Sequence, residues 1–236
     1  MYTDIHSHVI WGVDDGAESR EETFRMLREA AADNIHRIIC TPHMTPGVYL
    51  FPDDVFQRHF REAEAYIAEN NLPLELFQGA ELLYTDLTPR LLREKIIPTL
   101  ASSRYTLIEF SPTDSKEHIF DALRKVSAAG FIPVIAHMER YPAIGKIEQV
   151  KEMKERYCAL VQINCRSLLR KQPFFRRSFF EKLFTEGLTD FIATDTHSMP
   201  GRGTCMTDAV NTLKAKYGET AAKTLEANTD RFFQTN

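Results

Sequence analysis

The chain lacks long apolar runs, and none of its four cysteines forms a C-x-x-C pair. No segment approaches the roughly 18 apolar residues needed to span a bilayer. Asp4 and His6 interrupt the N-terminus before the apolar stretch of a signal peptide could develop. Scattered cysteines of this kind are typical of a reducing compartment. We therefore expect a cytoplasmic protein with neither membrane insertion nor structural disulfides.

Strong positive charge is also missing. The net charge is −4, so the chain shows no general attraction for nucleic acid or an anionic membrane, and no nucleic-acid partner is expected. The chain has 236 residues, of which 43% are hydrophobic and 26% charged, as in ordinary globular proteins. This length can bury a full core. We expect one domain that spans residues 1–236.

Short apolar runs alternate with segments of helical periodicity along the chain. The runs are rich in Ile, Val, Leu and Phe, as is typical of strands buried on both faces. Seven strands are predicted, at 3–6, 37–40, 75–79, 106–110, 132–136, 160–164 and 190–194. Such alternation predicts an α/β fold with a parallel sheet or barrel. Both architectures place functional side chains at the carboxyl ends of the strands.

Histidines and carboxylates follow six of the seven predicted strands. His6 and His8 are two residues apart, so in an extended strand both rings point to the same side. Asp195 and His197 repeat this spacing. Glu109 lies in an apolar strand, where a carboxylate is costly unless it is paired or bound to metal. The remaining candidates are Asp14, His43, Glu81 and His137. Together they predict a metal site, although unrelated polar strand ends are the alternative.

The order of these motifs resembles the signature of the polymerase and histidinol phosphatase (PHP) family over nearly the whole chain. The resemblance implies a distorted seven-stranded β/α barrel that holds three divalent metal ions. It assigns the first ion to His6, His8, Glu81 and Asp195, the second to Glu81, Glu109 and His137, and the third to Asp14, His43 and His197. Since Asp14 and Glu109 stand where some members have His, Mn²⁺ is expected first, with Mg²⁺, Fe or Zn²⁺ as alternatives.

Further motifs resemble the tyrosine-protein phosphatases of bacterial capsule and exopolysaccharide loci. These motifs are Gly12-Val13-Asp14-Asp15-Gly16, His137-Met138-Glu139-Arg140-Tyr141, Gln162-Ile163-Asn164 and Gly201-Arg202. The resemblance implies hydrolysis of phosphotyrosine by a metal-bridging hydroxide. It also implies a bacterial tyrosine kinase with a tyrosine-rich tail as partner, in the regulation of polysaccharide synthesis. Arg140 and Arg202 are candidates for binding the phosphate, which arginine matches bidentately.

Several alternatives remain at this point. The chain could be a small-molecule phosphatase of the histidinol-phosphate type, a nuclease, or a non-catalytic binding module. The acidic charge disfavours the nuclease, and the complete ligand set disfavours the binding module. Cysteine-dependent tyrosine phosphatase chemistry is excluded, because it needs an arginine six residues after the nucleophile. The residues at that spacing are Pro46, Asn164, Lys171 and Asn211.

Two aromatic segments have open interpretations. Tyr49, Leu50 and Phe51 form either an apolar wall beside the substrate or ordinary loop packing. The segment 166–182 mixes basic residues with four phenylalanines. It could receive an acidic, tyrosine-bearing peptide, resemble a nucleic-acid surface, or be a helix with Phe inward and a solvated basic face.

Overall fold

The computed structural model describes residues 1–198 and 203–234. Parallel strands alternate with helices throughout, as an α/β fold requires. The strands are β1 (Tyr2–Ser7), β2 (Ile35–Cys40), β3 (His43–Met44), β4 (Glu75–Gln78), β5 (Glu81–Leu83), β6 (Tyr105–Glu109), β7 (Ile132–Ile135), β8 (Leu160–Asn164) and β9 (Phe191–Ala193). The helices are α1 (Arg20–Ala32), α2 (Asp53–Glu69), α3 (Thr88–Arg93), α4 (Lys116–Ala128), α5 (Ile147–Tyr157), α6 (Cys165–Leu169), α7 (Phe174–Thr185), α8 (Met206–Tyr217) and α9 (Glu219–Asn228).

The strands form a curled parallel sheet in two parts. One part has the order β1-β2-β4, and the other has the order β3-β5-β6-β7-β8-β9. The segment after β9 returns to β1, where Asp195 N donates to His6 O at 2.9 Å and His8 N donates to Thr196 O at 3.0 Å. All the carboxyl ends of the strands therefore face one side of the molecule, as the α/β prediction requires.

Two of the seven predicted strands, at 37–40 and 75–79, are each followed by a short additional strand, so the described residues contain nine strands. β2 ends before Pro42, which has no N–H to donate to a neighbouring strand. β4 ends before Gly79. A Cβ at Gly79 would lie 2.8 Å from Ile39 Cγ2, so the backbone packs tightly there. After each break the chain joins the second part of the sheet. His43 and Glu81 thereby become paired residues at the starts of β3 and β5.

The segments of helical periodicity form helices, and the ends of these helices have clear causes. Ser19 Oγ accepts from Glu22 N at 3.3 Å, which caps α1. Gly218 has a φ of 92° at the end of α8, a conformation that glycine adopts without strain. No helix in the described part of the chain is both long and apolar enough to cross a membrane.

Asp4 joins β1 to β9 inside the sheet. It is buried and accepts hydrogen bonds from Thr194 N, at 3.0 Å, and from the Thr194 hydroxyl. Asp4→Ala would leave both donors buried without a partner, so we expect a loss of about 2–4 kcal/mol of unfolding free energy. Urea denaturation of this variant beside Asp54→Ala, an exposed control, measures the loss. Equal midpoints for both variants would contradict this role for Asp4.

Candidate metal centre

Glu81 is the centre of a buried cluster at the carboxyl ends of the strands. Its Oε2 lies 3.1 Å from His6 Nε2, 3.2 Å from His8 Nε2 and 3.1 Å from His43 Nδ1. Its Oε1 lies 2.8 Å from His137 Nε2. One carboxylate thus contacts four histidines that come from β1, β3 and the ends of β1 and β7.

The donor geometry around Glu81 fits a divalent cation. Oε2 is fully buried yet has no hydrogen-bond partner among the described residues. A buried oxygen in that state is costly unless another group satisfies it. Nitrogen and oxygen ligands lie about 2.0–2.2 Å from an ion such as Zn²⁺, which places neighbouring ligand atoms roughly 3 Å apart. The contacts around Oε2 have this spacing.

Two further carboxylates add negative charge to the cluster. Asp195 Oδ1 lies 3.7 Å from both His6 Nε2 and His8 Nε2. Glu109 Oε1 lies 3.5 Å from His137 Nε2. Burial, together with the nearby charge of Glu81, raises the pKa of Glu109 to about 8. Without a bound cation, ionising all three carboxylates at once is therefore unfavourable. A bound cation would offset the repulsion between their negative charges.

Asp14 and Asp15 have different positions in the cluster. Asp14 Oδ2 accepts from His8 Nδ1 at 2.6 Å and from His43 N at 3.0 Å. Asp15 Oδ1 instead lies 3.4 Å from both His43 Nε2 and His197 Nε2. The structure therefore groups Asp15, rather than Asp14, with His8, His43 and His197 as potential ligands. Sequence analysis missed Asp15, although it adjoins Asp14 in the same motif.

Gly16 fixes the loop that carries these two aspartates. A Cβ at this position would lie 2.2 Å from His8 O and 2.6 Å from His8 Cβ. Only glycine lets the loop approach β1 this closely. Gly16 N also donates to Asp14 Oδ1 at 2.9 Å, so Asp14 is held against His8. Asp15 instead lies near His43 and His197.

Gln162 and Asn164 on β8 hold residues of the cluster in place through hydrogen bonds. Gln162 Oε1 lies 3.2 Å from His6 Nδ1 and accepts from His137 N at 2.7 Å. Gln162 Nε2 donates to Asn164 Oδ1, and Asn164 Nδ2 donates to Asp195 Oδ2, each at 2.8 Å. A partner at Nδ1 orients the ring of His6 and leaves its Nε2 lone pair facing the cluster. This supporting role of Gln162 was not found from the sequence.

The backbone turns sharply where two of the strands end. His137 has a φ of 30° and Asp195 a φ of 52°, in the left-handed region that residues other than glycine rarely adopt. Such a conformation costs on the order of 1–3 kcal/mol and is kept only where tertiary contacts hold it. The Gln162 hydrogen bond holds His137, and the bond from Asp195 N to His6 O holds Asp195.

Arg140 lies at the edge of the cluster. Its Nη2 donates to Asp195 Oδ2 at 2.6 Å, while 45% of the side chain remains exposed. The guanidinium has five N–H groups, so most of its donors stay available for a ligand. Arg202, the second predicted phosphate-binding residue, lies outside the described residues.

Three of the four thiols, those of Cys40, Cys165 and Cys205, do not fit nucleophilic chemistry. Cys40 and Cys165 are buried, and burial raises the pKa of both thiols. Burial also raises the pKa of Cys205 to about 11. A reactive cysteine needs a lowered pKa and access to solvent. This agrees with the exclusion of cysteine-based chemistry drawn from the sequence.

The aromatic loop after His43 has a mixed role. Phe51 is buried and its ring centroid lies 4.9 Å from that of Phe56, so it belongs to the core. Tyr49 is partly exposed and its hydroxyl donates to Val13 O, beside the aspartate loop. Of the predicted wall, Tyr49 and Leu50 thus remain accessible.

Comparisons with known proteins agree with this architecture. The sequence model of the family "Capsular polysaccharide synthesis, CpsB/CapC" matches residues 2–233. The tyrosine-protein phosphatase CpsB of Streptococcus pneumoniae is 34% identical over 234 residues, which cover 97% of this chain and 96% of the relative.

Solved structures share the fold. One match comes from the crystal structures of the metal-dependent tyrosine phosphatases YwqE of Bacillus subtilis and CpsB of Streptococcus pneumoniae. It has a TM-score of 0.87 at 24% identity and covers 99% of this chain and 95% of the other. Histidinol phosphate phosphatase of Lactococcus lactis matches with a TM-score of 0.59 at 15% identity, over 93% of each chain. These matches confirm the resemblance read from the motifs, and the chain belongs to the CpsB/CapC family of capsular polysaccharide synthesis proteins.

Proposed function

We propose that this chain is a metal-dependent protein-tyrosine phosphatase. The observation that carries the proposal is the buried Glu81 oxygen that lies among three histidine nitrogens with no hydrogen-bond partner in the described part of the chain. Relatives over nearly the whole chain are named tyrosine-protein phosphatases, which supports the reaction class. The single domain of residues 1–236 is part of the proposal, and the family match over residues 2–233 supports it.

Three ligand groups support three ions in a distorted barrel. His6, His8 and Glu81 form one group, to which Asp195 adds an oxygen. Glu81 and Glu109 form a second with His43, and His137 contacts both carboxylates. The third consists of His8, Asp15, His43 and His197. We assign Asp14 to the orientation of His8. The oxygen-rich set favours Mn²⁺, with Mg²⁺, Fe or Zn²⁺ as alternatives.

Bound divalent ions would activate water and neutralise phosphoryl charge. The side chains then divide the remaining tasks. Arg140 binds a phosphoryl oxygen through the donors that Asp195 does not use. Gln162 and Asn164 keep His6 and Asp195 in place. A tyrosyl leaving group has a pKa near 10 and needs little help from an acid.

The two neighbouring aspartates are expected to differ in metal binding. Asp15→Asn removes a ligand charge beside His43 and His197, so we expect about one ion fewer per chain. Asp14→Asn weakens the orientation of His8, and we expect the full metal count with affinity lowered about 10–100-fold. Elemental analysis after equilibration with Mn²⁺ measures the count, and competition with a chelator measures the affinity. If Asp14→Asn lost an ion and Asp15→Asn did not, Asp14 rather than Asp15 would be the metal ligand.

The proposed substrate is a tyrosine-phosphorylated protein. We infer that this substrate is a cytoplasmic bacterial tyrosine kinase with a tyrosine-rich tail, and the family's description by capsular polysaccharide synthesis fits a role in that pathway. Phosphate release in Mn²⁺ from a phosphotyrosine peptide, from histidinol phosphate and from a single-stranded oligonucleotide tests the substrate class. We expect turnover of the peptide only. Faster turnover of histidinol phosphate or of the oligonucleotide would replace the proposed substrate with that compound.

A further inference from the structure

A basic groove of about 470 Å³ lies along α7, between the segment after α6 and the end of α8. Its lining includes Phe180 and Tyr217, and its charged groups are Arg170, Lys171, Arg177, Lys216 and the single carboxylate of Glu181. Arg177 Nε binds Glu181 Oε1 at 3.0 Å. The other three basic side chains form no ion pair with any described residue. The groove thus concentrates unneutralised positive charge on a chain whose net charge is −4.

Exposed aromatic residues accompany this charge. Phe174 and Phe175 begin α7 and are 95% and 82% exposed, whereas Phe179 and Phe180 pack into the core. An exposed apolar pair on the helix that lines the groove is typical of a contact surface. Arg176 has a different role, because it donates to the carbonyls of Tyr141 and Ile144. Arg166 likewise donates to Gly203 O at 2.8 Å. The segment 166–182 therefore combines two structural arginines with a separate basic and aromatic surface.

Few residues of the chain separate the groove from the metal centre. Arg170 follows Asn164 by six residues, and Asn164 contacts the cluster residue Asp195. Six residues reach at most about 20 Å. A substrate segment of that span would link a phosphotyrosine at the cluster to the Arg170 end of the groove.

We propose that this groove binds an acidic segment of the phosphorylated protein, a short distance from its phosphotyrosine. The link to turnover rests on the proposed phosphatase function, whereas binding of the acidic segment does not. A protein segment is favoured over nucleic acid, since Glu181 and the acidic net charge would repel a long polyanion. Short acidic peptides need only the few charges that the groove supplies.

Two matched peptides and two matched variants test the groove. Each peptide has a phosphotyrosine, a six-residue Gly/Ser spacer and then four Glu or four Gln. The groove variant is Arg170→Glu with Lys171→Glu. The control, Arg61→Glu with Lys95→Glu, makes the same charge change at exposed sites outside the groove. In the groove variant alone, we expect KM for the Glu peptide to rise about fivefold, with kcat and hydrolysis of 4-nitrophenyl phosphate unchanged.

Anisotropy of a labelled Glu peptide without phosphate separates the groove from the phosphatase reaction. If the parent chain bound this peptide and the groove variant did not, the groove would be the binding site even if no phosphotyrosine were hydrolysed. Equal KM values for the Glu and Gln peptides in the parent chain would overturn the proposal, as would equal effects of the two variants. Tighter binding of a single-stranded oligonucleotide of the same charge would also overturn it.

Discussion

Glu81→Gln is expected to lower kcat for a phosphotyrosine peptide about a thousandfold. The carboxylate contacts four histidines, and Glu81 belongs to two ligand groups. The neutral amide has nearly the same shape but supplies only one weaker oxygen ligand. Since bound metal contributes several kcal/mol to such reactions, loss of the shared ligand should remove most of that contribution. Steady-state kinetics at saturating Mn²⁺ measures the loss.

Glu75→Gln is the matched control for Glu81→Gln, because Glu75 is exposed on β4. It should leave both activity and metal content unchanged. Circular dichroism checks that Glu81→Gln still folds, and elemental analysis should find fewer ions bound to it. A folded Glu81→Gln protein with normal turnover would show that the cluster is not the reaction site.

Arg140→Ala is expected to lower kcat/KM about a hundredfold. The guanidinium is half-exposed at the edge of the cluster and uses one donor on Asp195. Removing a preorganised donor from developing negative charge typically costs a factor of 10²–10³ in rate. Arg140→Lys should recover only part of the loss, because an ammonium cannot bind phosphate bidentately. Initial rates over a range of substrate concentrations give kcat and KM separately.

Two controls separate phosphate binding by Arg140 from support of Asp195. The metal content of Arg140→Ala at saturating Mn²⁺ should equal that of the parent chain. Arg124→Ala removes an exposed arginine paired with Asp121 on α4, and its kinetic constants should not change. If Arg140→Ala kept the parent kinetic constants, Arg140 would have no part in binding phosphate.

Strand positions and the histidines at their ends were predictable from the sequence, because both depend on local patterns. His6 and His8 show this well, since period-two geometry in β1 places both rings on one side. The seven-strand count was not reproduced, in part because the break at Gly79 depends on packing between distant segments. Ile39 against Gly79 is one such contact.

The different contacts of Asp14 and Asp15 could not be predicted from the sequence for a similar reason. Both carboxylates lie in one loop, and their directions depend on how Gly16 packs against His8. The role of Gln162 likewise depends on contacts with His6 and His137, which are distant in sequence. Its predicted strand position was a usable signal, because an inward polar side chain on a buried strand needs partners.

The most direct test is phosphate release from a phosphotyrosine peptide by chelator-treated protein, with Mn²⁺, Mg²⁺, Zn²⁺ or no metal added back. We expect no release without metal and the fastest release with Mn²⁺, rising with the number of ions bound per chain. Full activity in the chelated protein, with no bound metal by elemental analysis, would contradict the metal-dependent phosphatase.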